Sequence, residues 1–162
     1  MNFLEKDLED IIYDADKDLL ADRGLIITGK LKRQLKIGNY GICDLVEICR
    51  DDDKIEINII ELKQNEINVN SFMQAIGYLR GVIDFLEKRK NHNPSTIRRN
   101  YRFAITLIGR KISVNDNFCY LTRCLNSGKF TLRLYTYEYD LNGIIFNEHD
   151  DYSLIHNGFN NE

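Results

Sequence analysis

The segment NIIELKQNEINVNSFMQAIGYLRG, residues 58–81, constrains this chain more than any other. It begins as part of an apolar run, IEINIIELK (55–63), whose length and β-branched content read as a buried strand. Successive strand side chains alternate faces, so Ile55, Ile57, Ile59, Glu61 and Lys63 share one. An acid and a lysine therefore continue a line of isoleucines, where burial disfavours charge. A long helix over 69–90 follows almost at once, with Val69, Phe72, Met73, Ile76, Leu79, Ile83 and Leu86 as its apolar stripe.

Upstream, ICDLVEIC (42–49) reads as a second strand, joined to 55–63 as a hairpin through the polar turn RDDDK. Its residues Ile42, Asp44, Val46 and Ile48 share a face. If the two faces align, Asp44, Glu61 and Lys63 converge at one end of a sheet. Two carboxylates and an ammonium in a partly dry place need compensation. A divalent cation would hold both acids ionised, and Mg²⁺ accepts few protein oxygens while keeping water and phosphate. The three residues alone allow a second account, a buried Glu61–Lys63 pair or a wet strand end. On the helix wheel Gln74, Tyr78 and Gly81 fall opposite the apolar stripe, with Gly77 nearby. An amide and a phenol one turn apart, beside small residues, suit a helix that lines a site.

The rest of the chain supplies a scaffold. Leu4, Leu8, Ile11, Ile12, Ala15 and Leu19 predict one helix over 3–20, closed by Gly24. LIITGKLKRQLKI predicts strand or turn-and-strand, GNYG (38–41) a turn, and NHNPST a loop. YRFAITLIG (101–109) predicts a central strand, DNFCYLTRCLNSG a short helix, and KFTLRLYTYEYDLNGIIFNE two strands around LNG. LYTYEYD within it reads as an exposed edge strand open to another subunit. The order α, strands, α, β, α, ββ gives a mixed sheet with helices on its faces, and 1–162 reads as one domain.

Charge sharpens the functional expectation. The net charge of −3 argues against nucleic acid, but its distribution does not. Residues 29–36 carry +4, and 80–111 carry nine Lys/Arg against Asp84 and Glu87, whereas 1–28 and 136–162 are acidic. Cys43, Cys49, Cys119 and Cys124 form no C-x-x-C pair, so they read as reduced thiols of a cytoplasmic protein. His149 and His156 read as solvated loop residues rather than ligands. The opening MNFLEKDLED is acidic and lacks the pattern of a secretory signal, and no apolar run suits a membrane span.

In order, GICDLVEI, INIIELK and QAIGY resemble the PD-(D/E)xK nuclease superfamily: G-x-x-D, a strand ending E-x-K, then Q-x-x-x-Y on the next helix. The arrangement is most similar to the RecB-type and archaeal mismatch-type endonuclease branches. FLEKDLEDII resembles their opening helix, and KRQLKIGNYGICDL their basic strand. The resemblance spans roughly residues 3–83, with Cys43 where proline often stands before the first acid. It implies a restriction-endonuclease-like α/β core and Mg²⁺-dependent hydrolysis of DNA, ahead of RNA, with Mn²⁺ as substitute. It implies Asp44, Glu61 and the Leu62 carbonyl as metal ligands, Lys63 as catalytic lysine, and Gln74 and Tyr78 as its helix motif. It matches Glu9 to the helix-1 acid, with Glu5 ranked second. Lys30, Lys32, Arg33, Gln34 and Arg80 are the expected nucleic-acid contacts, with Arg98 and Arg99 as further cations and Tyr40 and Tyr101 as stacking candidates. The alternative is a catalytically inert module of the same fold that binds nucleic acid or protein. Without an evident appended DNA-binding domain, action within an oligomer or larger complex is also open.

Overall fold

The computed structural model describes residues 4–51, 53–113, 118 and 130–149. The elements are α1 (Glu5–Asp14), α2 (Lys17–Asp22), β1 (Lys30–Lys36), β2 (Ile42–Asp51), β3 (Lys54–Leu62), β4 (Glu66–Ile67), α3 (Val69–Lys88), α4 (Pro94–Asn100), β5 (Tyr101–Gly109), β6 (Lys111–Ile112), β7 (Phe130–Asp140) and β8 (Gly143–His149). Six strands form a mixed sheet in the order β1-β2-β3-β5-β7-β8, flanked by helices. β3, β5 and β7 run parallel, while β1/β2, β2/β3 and β7/β8 are antiparallel. Strands β4 and β6 make a small parallel pair just beyond the ends of β3 and β5.

Each face of the sheet has its own core. On one, Val46, Ile57, Ile59, Ile105, Leu107 and Leu134 pack with Phe72, Ala75 and Leu79 of α3. On the other, Leu45, Ile60, Leu62, Ile108 and Tyr137 pack with Leu8 and Ile12 of α1 and Leu20 of α2. The alternation in β2 and β3 is thus a division between two cores, as period-2 patterning requires. The unbroken apolar run of β5 suits its central place, covered on both faces.

Several local expectations are corrected. The single helix over 3–20 is two, because Ala15 is extended and the Asp16 side chain accepts the Asp18 amide at 2.8 Å, capping α2. NHNPST is not wholly loop: Asn93 caps α4 and Pro94 opens it. LYTYEYD is not an edge strand. It lies in β7, between β5 and β8, and buries Tyr135 and Tyr137, while β8 forms the edge. His149 is not in a loop; it sits in β8 with Nε2 2.7 Å from Thr136 Oγ1. The helix expected over DNFCYLTRCLNSG, with Cys119 and Cys124, lies outside the described residues apart from Phe118, and so does His156. Among the described residues no helix is long and apolar enough to cross a membrane.

Of LIITGKLKRQLKI, only Lys30–Lys36 is strand. Leu25 and Ile27 are buried without ladder partners, and a buried carboxylate organises the crossing. Glu47 Oε1 accepts the Thr28 and Gly29 amides at 2.8 and 2.7 Å, and its Oε2 accepts Asn58 Nδ2 at 3.0 Å. Thr106 Oγ1 then donates to Asn58 Oδ1 at 3.0 Å. With these partners Glu47 is satisfied, which is how a buried carboxylate avoids its desolvation cost.

The segment after α2 also closes part of the β8 edge. The Phe146 amide donates to the Arg23 carbonyl at 2.7 Å. Gly24 follows at φ +92°, and a Cβ there would lie 2.1 Å from the Phe146 carbonyl oxygen. Both the backbone conformation and the close approach require glycine. We predict that Gly24→Ala destabilises the protein by about 1–3 kcal/mol, measured as a lowered urea midpoint; an unchanged midpoint would disprove the close approach.

Candidate active site

The site lies at the C-terminal end of β3. The β2/β3 register, Val46 against Ile59 and Leu45 against Ile60, brings Asp44 level with Glu61 when continued by one residue. Asp44 Oδ2 accepts the Leu62 amide at 2.9 Å. Glu61 is 1% exposed. Lys63, one residue past the strand, places Nζ 2.6 Å from Glu61 Oε1 and 3.4 Å from Gln74 Oε1. Gln74 Nε2 donates to the Tyr78 hydroxyl at 2.9 Å, so an amide clamped by a phenol turns its oxygen toward the lysine. Asp44, Glu61, Leu62, Lys63, Gln74 and Tyr78 are therefore brought together.

Burial dominates the electrostatics. It raises the Asp44 pKa above the usual carboxylate value, although the Leu62 amide and Lys63 oppose it. Burial, then the neighbouring Asp44 charge, pushes Glu61 up to about 7, with Lys63 opposing. For Lys63 burial pulls downward, but the Glu61 hydrogen bond and the surrounding acids leave a net rise. Burial likewise raises Tyr78.

Helix α3 buries Tyr78 and Gly81, which the wheel sets opposite its apolar stripe, while Met73 of that stripe is 57% exposed. A Cβ on Gly81 would lie 2.4 Å from Ile37 Cγ2 and 2.7 Å from Tyr40 Cδ2, so the turn between β1 and β2 rests directly on the helix. Tyr40 is half-buried and donates its hydroxyl to Asp84 at 2.7 Å, with Arg80 5.9 Å from its ring centroid. Tyr101 packs between His92 and Phe103. Neither tyrosine stands as a free stacking platform.

Two expected nucleic-acid contacts have other partners. Arg33 Nε donates to Glu9 Oε1 at 3.0 Å, and its Nη2 lies 2.6 Å from Asp10. Gln34 Nε2 donates to Glu9 Oε2. Gln34 does so from a left-handed backbone, φ +49°, that interrupts the β1/β2 pairing opposite Asp44. Glu9, 4% exposed, therefore has both oxygens engaged, by Arg33 and by Gln34. Glu5, ranked second from sequence, accepts the Gln64 amide on Oε1 at 3.1 Å, and its charge reaches Asp44, Glu61 and Lys63. The Glu9 charge also raises the Asp44 pKa, and by more than Glu5 does. The i, i+4 spacing of Glu5 and Glu9 put both on one helix face, but the sequence did not show that Arg33 and Gln34 would claim Glu9. Lys30, Lys32 and Arg80 are exposed as expected. Glu47, which no sequence signal marked, is a buried acid of β2.

Among the described residues no three His, Cys, Asp or Glu side chains gather as a ready metal-binding group. The carboxylate pair still fits a hard cation. Glu61 Oε2 is buried without a hydrogen-bond partner, and both acids are held above their ordinary pKa, chiefly by burial. Mg²⁺, which takes few protein oxygens, suits such a sparse site. Comparison with protein-family models, curated proteins and solved structures returned no match.

Because Glu61 binds its proton more tightly in the fold than at its ordinary value of 4.5, the folded state holds more protons between there and about 7. Stability therefore falls as pH rises through that window. In chelator, Glu61→Gln should lose less stability than the native chain between these limits, as read by urea unfolding. Parallel curves would remove the buried-acid explanation.

Proposed function

We propose that this sheet is a restriction-endonuclease-like core and that the protein is a PD-(D/E)xK-type nuclease, an Mg²⁺-dependent enzyme hydrolysing DNA phosphodiester bonds. The observation that carries the reading is the buried Glu61 carboxylate. One oxygen meets Lys63 and the other has no hydrogen-bond partner, beside the half-buried Asp44 at the same end of the sheet.

In this reading Asp44 and Glu61, with the Leu62 carbonyl, hold the cation, and Glu5 adds charge from α1. When bound, such an ion neutralises developing negative charge and favours ionisation of an attacking water. The chain's own groups do the rest. Lys63, fixed between Glu61 and Gln74, presents an ammonium to a phosphate oxygen and orients water for in-line attack. The Gln74–Tyr78 bond keeps the amide oxygen toward that ammonium. Lys30 and Lys32 on the β1 edge, and Arg80 on α3, offer exposed cations to the phosphate backbone.

A second reading, an inert binding module of the same fold, is favoured by the short Glu61–Lys63 contact, which neutralises one acid without a metal. Both readings are tested by incubating labelled single-stranded, duplex and flap DNA with Mg²⁺ or Mn²⁺. The nuclease reading expects cleavage by the native chain, at least about 100-fold less by Glu61→Ala and Lys63→Ala, and a rise in melting temperature with added metal. A folded, metal-stabilised chain that cuts none of these substrates would favour the inert module.

A further inference from the structure

The turn between β1 and β2 meets the candidate site at two points. Its backbone closes on itself: the Ile37 amide donates to the Gly41 carbonyl at 2.9 Å, and the Tyr40 amide to the Ile37 carbonyl at 2.9 Å. Three residues beyond Gly41 the chain reaches Asp44. Gly41 itself lies against α3. A Cβ there would stand 3.3 Å from Tyr78 Cε1 and 3.6 Å from the Tyr78 hydroxyl. That hydroxyl receives Gln74 Nε2 at 2.9 Å, and Gln74 Oε1 lies 3.4 Å from Lys63 Nζ. The turn thus continues into Asp44 along the chain and backs, through space, the phenol that aims an amide at Lys63.

Two side chains fix the turn to α3. Ile37 enters the core beneath it. The Tyr40 ring lies over Gly81, leaving no room for a side chain at that position. Tyr40 then donates its hydroxyl to Asp84 Oδ2 at 2.7 Å. Lys88 Nζ shares that oxygen at 3.4 Å, and the Arg80 guanidinium lies 5.9 Å from the Tyr40 ring centroid, so Asp84 sits among cations and stays ionised. A hydrogen bond to an ionised carboxylate is stronger than one between neutral groups.

The far end of this connection is sensitive to small movements. At 3.4 Å the Gln74–Lys63 contact is already longer than an ordinary hydrogen bond. A turn that relaxed away from Tyr78 would let the amide swing off the lysine, which would then have Glu61 as its remaining side-chain partner. We infer that Tyr40 is a positioning residue: its bond to Asp84 holds the β1/β2 turn against Tyr78 and so sets the Gln74 amide that Lys63 meets. Tyr40 acts through Tyr78 and Gln74 and takes no part in the chemistry. The inference rests on the nuclease reading only where a rate is measured.

The first readout needs no activity. In chelator, with isotope-labelled lysine side chains, the Lys63 ammonium of the full chain is followed by NMR. Lys17, whose Nζ bonds the Thr28 and Gly29 carbonyls, is the internal control. Tyr40→Phe keeps the ring and removes the hydroxyl. It should shift the Lys63 signal and leave that of Lys17 in place. Asp84→Ala should do the same, and the two changes together no more than either. In a Gln74→Ala chain, where the connection is already cut, Tyr40→Phe should move the Lys63 signal no further. A single cooperative melting transition in each variant shows that the fold is kept. The second readout is rate. In a chain that cleaves DNA, Tyr40→Phe should lower kcat about tenfold with KM unchanged, because a misplaced catalytic group costs the transition state rather than binding. A Lys63 signal that ignores Tyr40→Phe, or that moves as far in the Gln74→Ala chain as in the native one, overturns the inference. So does a cleaving chain whose kcat ignores the change, and the nuclease reading then survives alone. The predicted shifts in a chain that cuts nothing keep the positioning role and remove the nuclease reading.

Discussion

The register between β2 and β3 is the constraint on which the rest depends. Val46 pairs with Ile59 and Ile48 with Ile57 on the α3 side, while Leu45 and Ile60 fill the opposite core. A slip of one residue would send every one of these side chains to the wrong face. Burial on both sides therefore fixes the register, and the register brings Asp44 level with Glu61. The electrostatic cost of the buried Glu61 beside the half-buried Asp44 is carried by aliphatic packing along the same two strands. Lys63 and the Leu62 amide offset it locally.

Helix α1 is held to this frame by a second polar unit. Glu9 receives Arg33 and Gln34, and Arg33 also reaches Asp10 and stands over Tyr13. Removing Glu9 would leave the Gln34 amide without its acceptor and the Arg33 guanidinium with Asp10 alone, a greater disturbance than loss of a surface ion pair. The left-handed Gln34 belongs to the same unit. It breaks the β1/β2 ladder at the level of Asp44, and backbone of this kind persists where neighbouring contacts enforce it.

The layers and the acid pair were legible because they rest on short-range periodicity. Alternation in 42–48 and 55–63 predicted the hairpin, and the apolar run 101–109 predicted a central strand. What could not be read depended on tertiary partners. The wheel of α3 set Tyr78 and Gly81 opposite the apolar stripe because it ranks hydrophobicity, and it could not show that the Ile37–Tyr40 turn would pack against Gly81. Arg33 and Gln34 looked like ligands for phosphate because nothing local showed that Glu9, some two dozen residues earlier, would bind them. LYTYEYD looked like an edge because its strand neighbours lie on either side in space, and pairing order is not a local property.

The same spacing on α1 bears on the acid pair. Glu5 and Glu9 lie four residues apart, on one side of the helix. Glu9 ties the helix to β1 and raises the Asp44 pKa, and Glu5 acts on Asp44, Glu61 and Lys63. On β1, Lys30 and Lys32 stand opposite Ile48 and Val46, so they share the sheet face of the acid pair. Acids thus concentrate at one end of that face and exposed cations toward the other. A polyanion laid along it would meet repulsion at the acids and attraction at Lys30 and Lys32, so the net charge of the chain does not by itself decide what it binds.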